Sequence, residues 1–238
     1  MNTLQKKRII ITGASEGIGK MLCQELGRLG GEIWAVARNK EKLNILKKEL
    51  PWDINIYPLD VRKKKDVQHF FSKEFTVDRQ PEILINAAGV AHFAYTEDTT
   101  FEDWNRMIDT NLTGPFLMSQ EIIPFLKKKK SGTIININSV AGLQPFKNAS
   151  AYCASKFGLH GLTQVMREEL RKYSIRVIGI HPGAVASSWW EKIEGSKNLP
   201  FSKMLKPEDV VHAIVSALTS ENHAVQEEIL LRNVGGNF

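Results

Sequence analysis

Arg8-Ile9-Ile10-Ile11-Thr12-Gly13-Ala14-Ser15-Glu16-Gly17-Ile18-Gly19 decides how this chain folds. The first five residues are a β-branched run that reads as a strand, the glycines as a loop, and the amphipathic residues 20–29 as a helix. Strand, glycine loop and helix in that order suit a dinucleotide. Glycine lets the backbone turn tightly and approach a pyrophosphate, whose charge rests on the free N–H groups of the helix N-terminus. The spacing is Gly-x-x-x-Gly-x-Gly, not the better-known Gly-x-Gly-x-x-Gly.

Working outward, strand-like runs at 32–37, 54–59, 82–85, 133–138, 175–180 and 227–231 alternate with helical segments. The second strand ends at Ala37, where an acidic residue would bind a ribose 2′-hydroxyl, and Arg38 follows. Arg38 is either the partner of a 2′-phosphate, which makes the cofactor NADP(H) rather than NAD(H), or an ordinary surface arginine. Asp60-Val61 closes the third strand. Asp60 either accepts from an adenine amine or caps a helix starting near Lys63. Small residues in Asn86-Ala87-Ala88-Gly89 let a cofactor lie flat across the fourth strand end. Residues 101–130 read as a long helical stretch with Asn111 and Gly114-Pro115 inside it, which predicts a kink. Lysines 127–130 complement the dipole at its C-terminal end. Alternation at this pace predicts one α/β domain over residues 1–238, an open, mostly parallel sheet covered on both faces, with ligands beyond the strands' carboxyl ends. Gly13, Ala37, Asp60, Asn86, Ser139 and His181 fall at those ends.

Chemistry concentrates at Ser139 and in Tyr152-Cys153-Ala154-Ser155-Lys156, which opens a helix over 150–173. Residues four apart share a helix face, so Lys156 places a cation near Tyr152, lowering the phenol's pKa and making it a general acid. Ser139 presents a hydroxyl to the same carbonyl oxygen. Residues 187–206, carrying Trp189, Trp190, Ile193, Phe201, Met204 and Leu205, read as a lid that sheds water. His92, Gln144, Phe146 and His181 are candidate pocket-wall contacts, and no residues group into a metal site.

With 238 residues, of which 42% are hydrophobic, the chain builds one core. No apolar run approaches the ~20 residues of a membrane span, and the polar N-terminus is no signal peptide, so a soluble, cytoplasmic protein is expected. Its two cysteines read as reduced thiols. The net charge of +6 is spread over helix surfaces, which argues for attraction of an anionic cofactor over a nucleic-acid surface.

Together, Thr12-Gly13-x-x-x-Gly17-x-Gly19, Asn86-Ala87-Ala88-Gly89, Asn111, Ser139, Tyr152-x-x-x-Lys156 and Pro182-Gly183 resemble the motif series of the short-chain dehydrogenases/reductases, over nearly the whole chain. The resemblance implies a Rossmann-type, doubly wound seven-stranded sheet and hydride transfer between a nicotinamide and a carbonyl or alcohol. It implies Tyr152 as acid in reduction, Lys156 on the nicotinamide ribose, Ser139 on the substrate oxygen, and Asn111 anchoring a water that relays protons to Lys156. Gly13, Ser15, Gly17, Ile18 and Gly19 would line the pyrophosphate and adenosine ribose, Asp60 and Val61 the adenine, and Asn86 the ribose. Pro182, Gly183, Val185 and Ser187 would meet the nicotinamide end, Ser187 standing where many members have threonine. Glu16 stands where some NADP-binding members carry a base. The implied activity is NADP(H)-dependent reduction of a ketone or aldehyde by a homodimer or homotetramer. A 3-oxoacyl carrier-protein reductase, docking through Lys127 to Lys130, Lys192 and Lys197, is one alternative. A non-catalytic NADP-binding regulatory protein is the other.

Overall fold

Isoleucines 9, 10 and 11 are fully buried, yet they enter two different apolar layers: Ile9 and Ile11 one, Ile10 the other. That is the two-residue period of a strand buried on both faces. The computed structural model describes residues 4–187, 190, 200–220 and 224–235. Strands β1 (Arg8–Thr12), β2 (Glu32–Ala37), β3 (Asn55–Pro58), β4 (Ile83–Asn86), β5 (Gly132–Ile137), β6 (Ile175–Pro182) and β7 (Glu228–Leu231) form a sheet of order β3-β2-β1-β4-β5-β6-β7. Every pair is parallel. The order reverses beside β1, so the architecture is the doubly wound, Rossmann-type α/β fold, and its crevice opens where β1 and β4 diverge.

The helices are α1 (Gly17–Arg28), α2 (Lys40–Glu49), α3 (Lys64–Glu74), α4 (Phe101–Ile108), α5 (Gly114–Lys129), α6 (Ser150–Arg171) and α7 (Pro207–Thr219). Leu22 and Leu26 of α1, Leu43 and Leu46 of α2 and Ile214 of α7 pack against Ile9 and Ile11. Phe70 and Phe71 of α3, Ile122 and Leu126 of α5 and Leu170 of α6 pack against Ile10 on the other face. Burying each such side chain contributes about 1.5–3 kcal/mol. Local signals set several helix starts. Asn39 accepts from Lys42 N–H at 2.8 Å to cap α2, and Thr100 accepts from Asp103 N–H at 3.1 Å to cap α4.

The kink expected within residues 101–130 is a π turn, Asp109–Thr113, between α4 and α5. Such wide turns occur mostly as single insertions, frequently at functional sites. Lysines 127–129 close α5, and Lys130 follows with φ of 51°. No described helix is long and apolar enough to cross a membrane. Most of the segment read as a lid, including Trp189, Lys192, Ile193 and Lys197, lies outside the described residues.

Candidate active site

Gly13 has φ of +67°, and a Cβ there would stand 2.8 Å from the Ala87 carbonyl oxygen and the Ala88 nitrogen. Only glycine lets the end of β1 pass this close to the end of β4. Thr12 locks the approach, its Oγ1 accepting from the N–H groups of Ala87 and Ala88, each at 3.1 Å. Gly19 packs against the Gly13 carbonyl with no room for a side chain. At the start of α1, Glu16 is extended and makes no side-chain cap, so the first-turn N–H groups remain for an anion. Bare backbone at Gly13 and an uncapped helix start fit a dinucleotide pyrophosphate.

One cavity of about 780 Å³ joins this loop to the rest of the site. Of the residues singled out from sequence, Gly13, Ser15, Gly17, Ile18, Gly19, Arg38, Asp60 and Val61 line one part of it. Ser139, Tyr152, Lys156, Pro182, Gly183, Val185 and Ser187 line the other. At the first end, Arg38 is exposed and forms no ion pair among the described residues. Lys42, not singled out from the sequence, lines the cavity beside it, held by Glu16 at 3.0 Å. Asp60 does not cap α3, whose N-cap residue is Lys63. It binds Arg62 through that residue's N–H and guanidinium, which keeps its carboxyl below the usual range.

At the other end, Ser139 follows β5 and starts a short 3₁₀ turn, its Oγ accepting from Ala141 N–H at 3.1 Å. Tyr152 and Lys156 share a face of α6, with Lys156 Nζ 5.8 Å from the phenol ring centre. Lys156 is 4% exposed and donates to the Ile137 carbonyl at 2.9 Å. Burial lowers its pKa to about 8. The expectation that Lys156 depresses the Tyr152 pKa is not what this structure shows. Burial raises the phenol to about 12, against the lowering effect of its hydrogen bond with Ser139. Desolvation of the phenolate is the largest effect, and Lys156 on the same helix face does not reverse it.

Two predicted site residues turn elsewhere. Asn86 is buried and does not line the cavity: its Nδ2 donates to Asn136 Oδ1 at 2.8 Å, and Asn136 donates on to Thr163. The side chain therefore ties β4 to β5 and α6. Asn111 uses its amide as a third strand would. Oδ1 accepts from Val90 N–H and Nδ2 donates to the Val90 carbonyl, both at 2.9 Å, with Ser155 Oγ a further acceptor at 3.0 Å. Gly89 then lies between Asn111 and Lys156, where a Cβ would be 3.6 Å from Asn111 Oδ1 and 4.0 Å from Lys156 Nζ.

Among the proposed wall residues only Phe146 lines the cavity. The His181 ring is buried beneath the strand end, Gln144 accepts from Arg232 at 3.0 Å, and His92 faces Asp103 at 3.8 Å. Sequence reasoning missed Phe93, whose ring meets Tyr152 edge-on at 5.9 Å and stacks on Trp190 at 6.2 Å. Phe93 sits in an irregular loop with no periodicity to mark it. Phe93, Phe146, Trp190 and Met204 give the Tyr152 end of the cavity an apolar wall.

Residues 7–198 match the model of the short chain dehydrogenase family. An uncharacterised oxidoreductase of Staphylococcus epidermidis is 31% identical over 98% of this chain and 100% of its own length. One from Staphylococcus aureus is 32% identical with the same coverage. Among solved structures, the closed form of a serine dehydrogenase complexed with NADP+ superposes with a TM-score of 0.87 at 28% identity, covering 94% of this chain and 93% of that one. An alcohol dehydrogenase from the archaeon Thermococcus sibiricus, complexed with 5-hydroxy-NADP, gives 0.87 at 26% identity, covering 97% of both. With a matching family model over most of its length, this sheet order and this cleft, the chain belongs to the short-chain dehydrogenase family of oxidoreductases.

Proposed function

We propose that the protein is an NADP(H)-dependent carbonyl reductase that turns a ketone or aldehyde into an alcohol, with Tyr152 as the general acid. The observation that carries this reading is the convergence of Ser139, Tyr152 and Lys156 at one end of a cleft whose other end is the Gly13 cradle and Arg38. NADPH, when bound, supplies the hydride to the carbonyl carbon. Gly13, Ser15, Gly17, Ile18 and Gly19 hold its pyrophosphate and adenosine ribose, and Asp60 and Val61 border the adenine. Arg38, with Lys42 beside it, receives the 2′-phosphate. Pro182, Gly183, Val185 and Ser187 receive the nicotinamide end. Structural relatives solved with NADP+ and with 5-hydroxy-NADP support the cofactor.

The hydroxyls of Ser139 and Tyr152 hold the substrate oxygen, and Tyr152 Oη passes its proton to it. A phenol raised to about 12 keeps that proton at neutral pH, the form that reduction needs. Lys156 stands ready to return a proton, and the gap at Gly89, kept open by Asn111, suits a relay water. Phe93, Phe146 and Trp190 exclude bulk water and favour an apolar substrate face.

The carrier-protein alternative draws no support from Lys127 to Lys130. Lys129 pairs with Glu82 just ahead of β4, so the run lies at the amino end of the sheet, opposite the cleft. A cytoplasmic homodimer or homotetramer accompanies the main reading, supported by exposed Phe116 of α5 and Phe157 and Val165 of α6. Fluorescence titration with NADPH and NADH, followed by cofactor oxidation against ketones, aldehydes and 3-oxoacyl thioesters, tests it. We expect tighter NADPH binding, a preference abolished in Arg38→Asp, and turnover reduced about 10²–10⁴-fold in Tyr152→Phe with cofactor binding intact. Undiminished turnover in Tyr152→Phe rejects the mechanism. Binding without turnover on any substrate favours the non-catalytic regulator.

A further inference from the structure

The face of α6 that carries Tyr152 and Lys156 continues one turn later to His160, whose Nδ1 is buried and has no hydrogen-bond partner among the described residues. Two residues from the far edge of the sheet meet it there. Glu228 of β7 pairs in register with Gly179 of β6, and the missing Cβ matters: one would collide with Glu228 Oε2 and stand 2.9 Å from His181 Nε2. In that space His181 Nε2 lies 2.5 Å from Glu228 Oε2, and the His160 and His181 rings meet edge-on at 5.0 Å. The ligand-capable atoms of His160, His181 and Glu228 all lie within 4.8 Å of one another.

We propose that His160 Nδ1, His181 Nε2 and a carboxylate oxygen of Glu228 form a binding site for a divalent transition metal of the zinc class, behind the catalytic cleft and distinct from it. Two imidazole nitrogens and one carboxylate suit zinc better than magnesium or calcium, which take oxygen ligands. The surrounding groups orient the set. The Ser139 carbonyl, 3.4 Å from His181 Nδ1, can only accept, so it favours the proton on Nδ1 and leaves Nε2 for the metal. Arg167 Nη2 donates to Glu228 Oε1 at 2.6 Å, which leaves Oε2 on His181, while Oε1 also lies 3.9 Å from His160 Nδ1. The guanidinium also takes up part of the carboxylate charge, so the site binds more weakly than a four-ligand structural zinc centre. Tetrahedral ligands sit roughly 3.4 Å apart, so small rotations of the His160 ring and the Glu228 carboxylate close the set. A bound metal takes the place of any proton on His181 Nε2 or Glu228, which leaves to solvent. Glu228, 32% exposed at its side chain, gives the entry path and leaves the fourth position to water. The consequence is a staple holding edge strand β7 to β6 and α6, directly behind the backbone of Ser139.

The test is calorimetric titration of Zn2+ into untagged, chelator-treated protein, with Co2+ as a spectroscopic probe. The expected result is one equivalent bound, a visible Co2+ ligand-field band, proton release and a higher thermal midpoint. His160→Ala loses affinity at least about tenfold; its fold survives because His160 Nδ1 has no hydrogen bond to lose, as circular dichroism checks. Glu228→Gln, which keeps an acceptor for Arg167, gives the same loss. Absence of binding by the wild type, or equal affinity in His160→Ala, overturns the proposal.

Discussion

Lys156 is a cation with no ion pair among the described residues, 4% exposed, and tied to a single carbonyl. Its pKa falls from 10.5 to about 8 because burial penalises the charged form. The sign follows directly. Between about pH 8 and 10.5 the unfolded chain binds more protons at this residue than the folded one, so folding is favoured as pH rises through that window. Below it the full cost, of order 3 kcal/mol, is present. Lys156→Met should therefore stabilise the protein near neutral pH by about 2 kcal/mol, after roughly 1 kcal/mol lost at the unpaired Ile137 carbonyl. Urea midpoints of the two proteins should converge toward pH 10. Tyr152 acts oppositely: its pKa is raised from 10.0 to about 12, so its contribution is lost as pH climbs through that range. A Lys156→Met protein no more stable than wild type at neutral pH would contradict the burial cost.

Among elements, the π turn at Asp109–Thr113 connects the most parts. It aims Asn111 at Val90 and Ser155, and it delivers Gly114 against Val61, which lines the cavity beside Asp60. A Cβ at Gly114 would stand 2.8 Å from Val61 Cγ2 and 3.2 Å from Val61 Cβ. Gly114→Ala should consequently cost about 1–3 kcal/mol of stability, as overpacking does, and push Val61 into the cleft. Thermal melts together with NADPH titration check this. A lowered midpoint with unchanged cofactor affinity would show that Val61 yields away from the site.

For the molecule as a whole, one carboxylate at the amino end of the sheet joins three elements. Glu82 accepts from Lys7 Nζ at 2.9 Å, from Arg8 N–H at 3.2 Å and from Lys129 Nζ, joining β1, β4 and the end of α5. Burial pushes its pKa up, but these hydrogen bonds outweigh it and hold it below 4.5. The stabilisation is thus present above about 4.5 and is lost as pH falls through the lower folded-state value. Glu82→Gln should lose about 1–2 kcal/mol at neutral pH, discounted for the exposed lysines, with the difference vanishing in acid. Parallel acid titrations of folding, followed by circular dichroism, would refute this if the curves stayed apart at low pH.

What the sequence by itself determined is what local chemistry dictates. The β-branched run Ile9-Ile10-Ile11-Thr12, the glycines that follow it and the spacing of Tyr152 and Lys156 specify strand, loop and helix face without reference to distant residues. The doubly wound sheet and most cleft-lining positions follow from them, because parallel strands deliver their carboxyl ends to one side. Tertiary structure decided what depends on burial or on meetings across the chain. Asn86 and Asn111 have the same side chain at two motif positions, and both are drawn into buried pairing with Asn136 and Val90, since a buried amide must find a partner. Lys42 lies at the cleft rim paired with Glu16, and Phe93 reaches Tyr152 from a loop. His181, read as pocket wall, instead meets His160 and Glu228, because side chains on a strand alternate between faces and β7 supplies its neighbour. The direction of the Tyr152 pKa likewise depends on how much water the fold excludes, which spacing along a helix does not record.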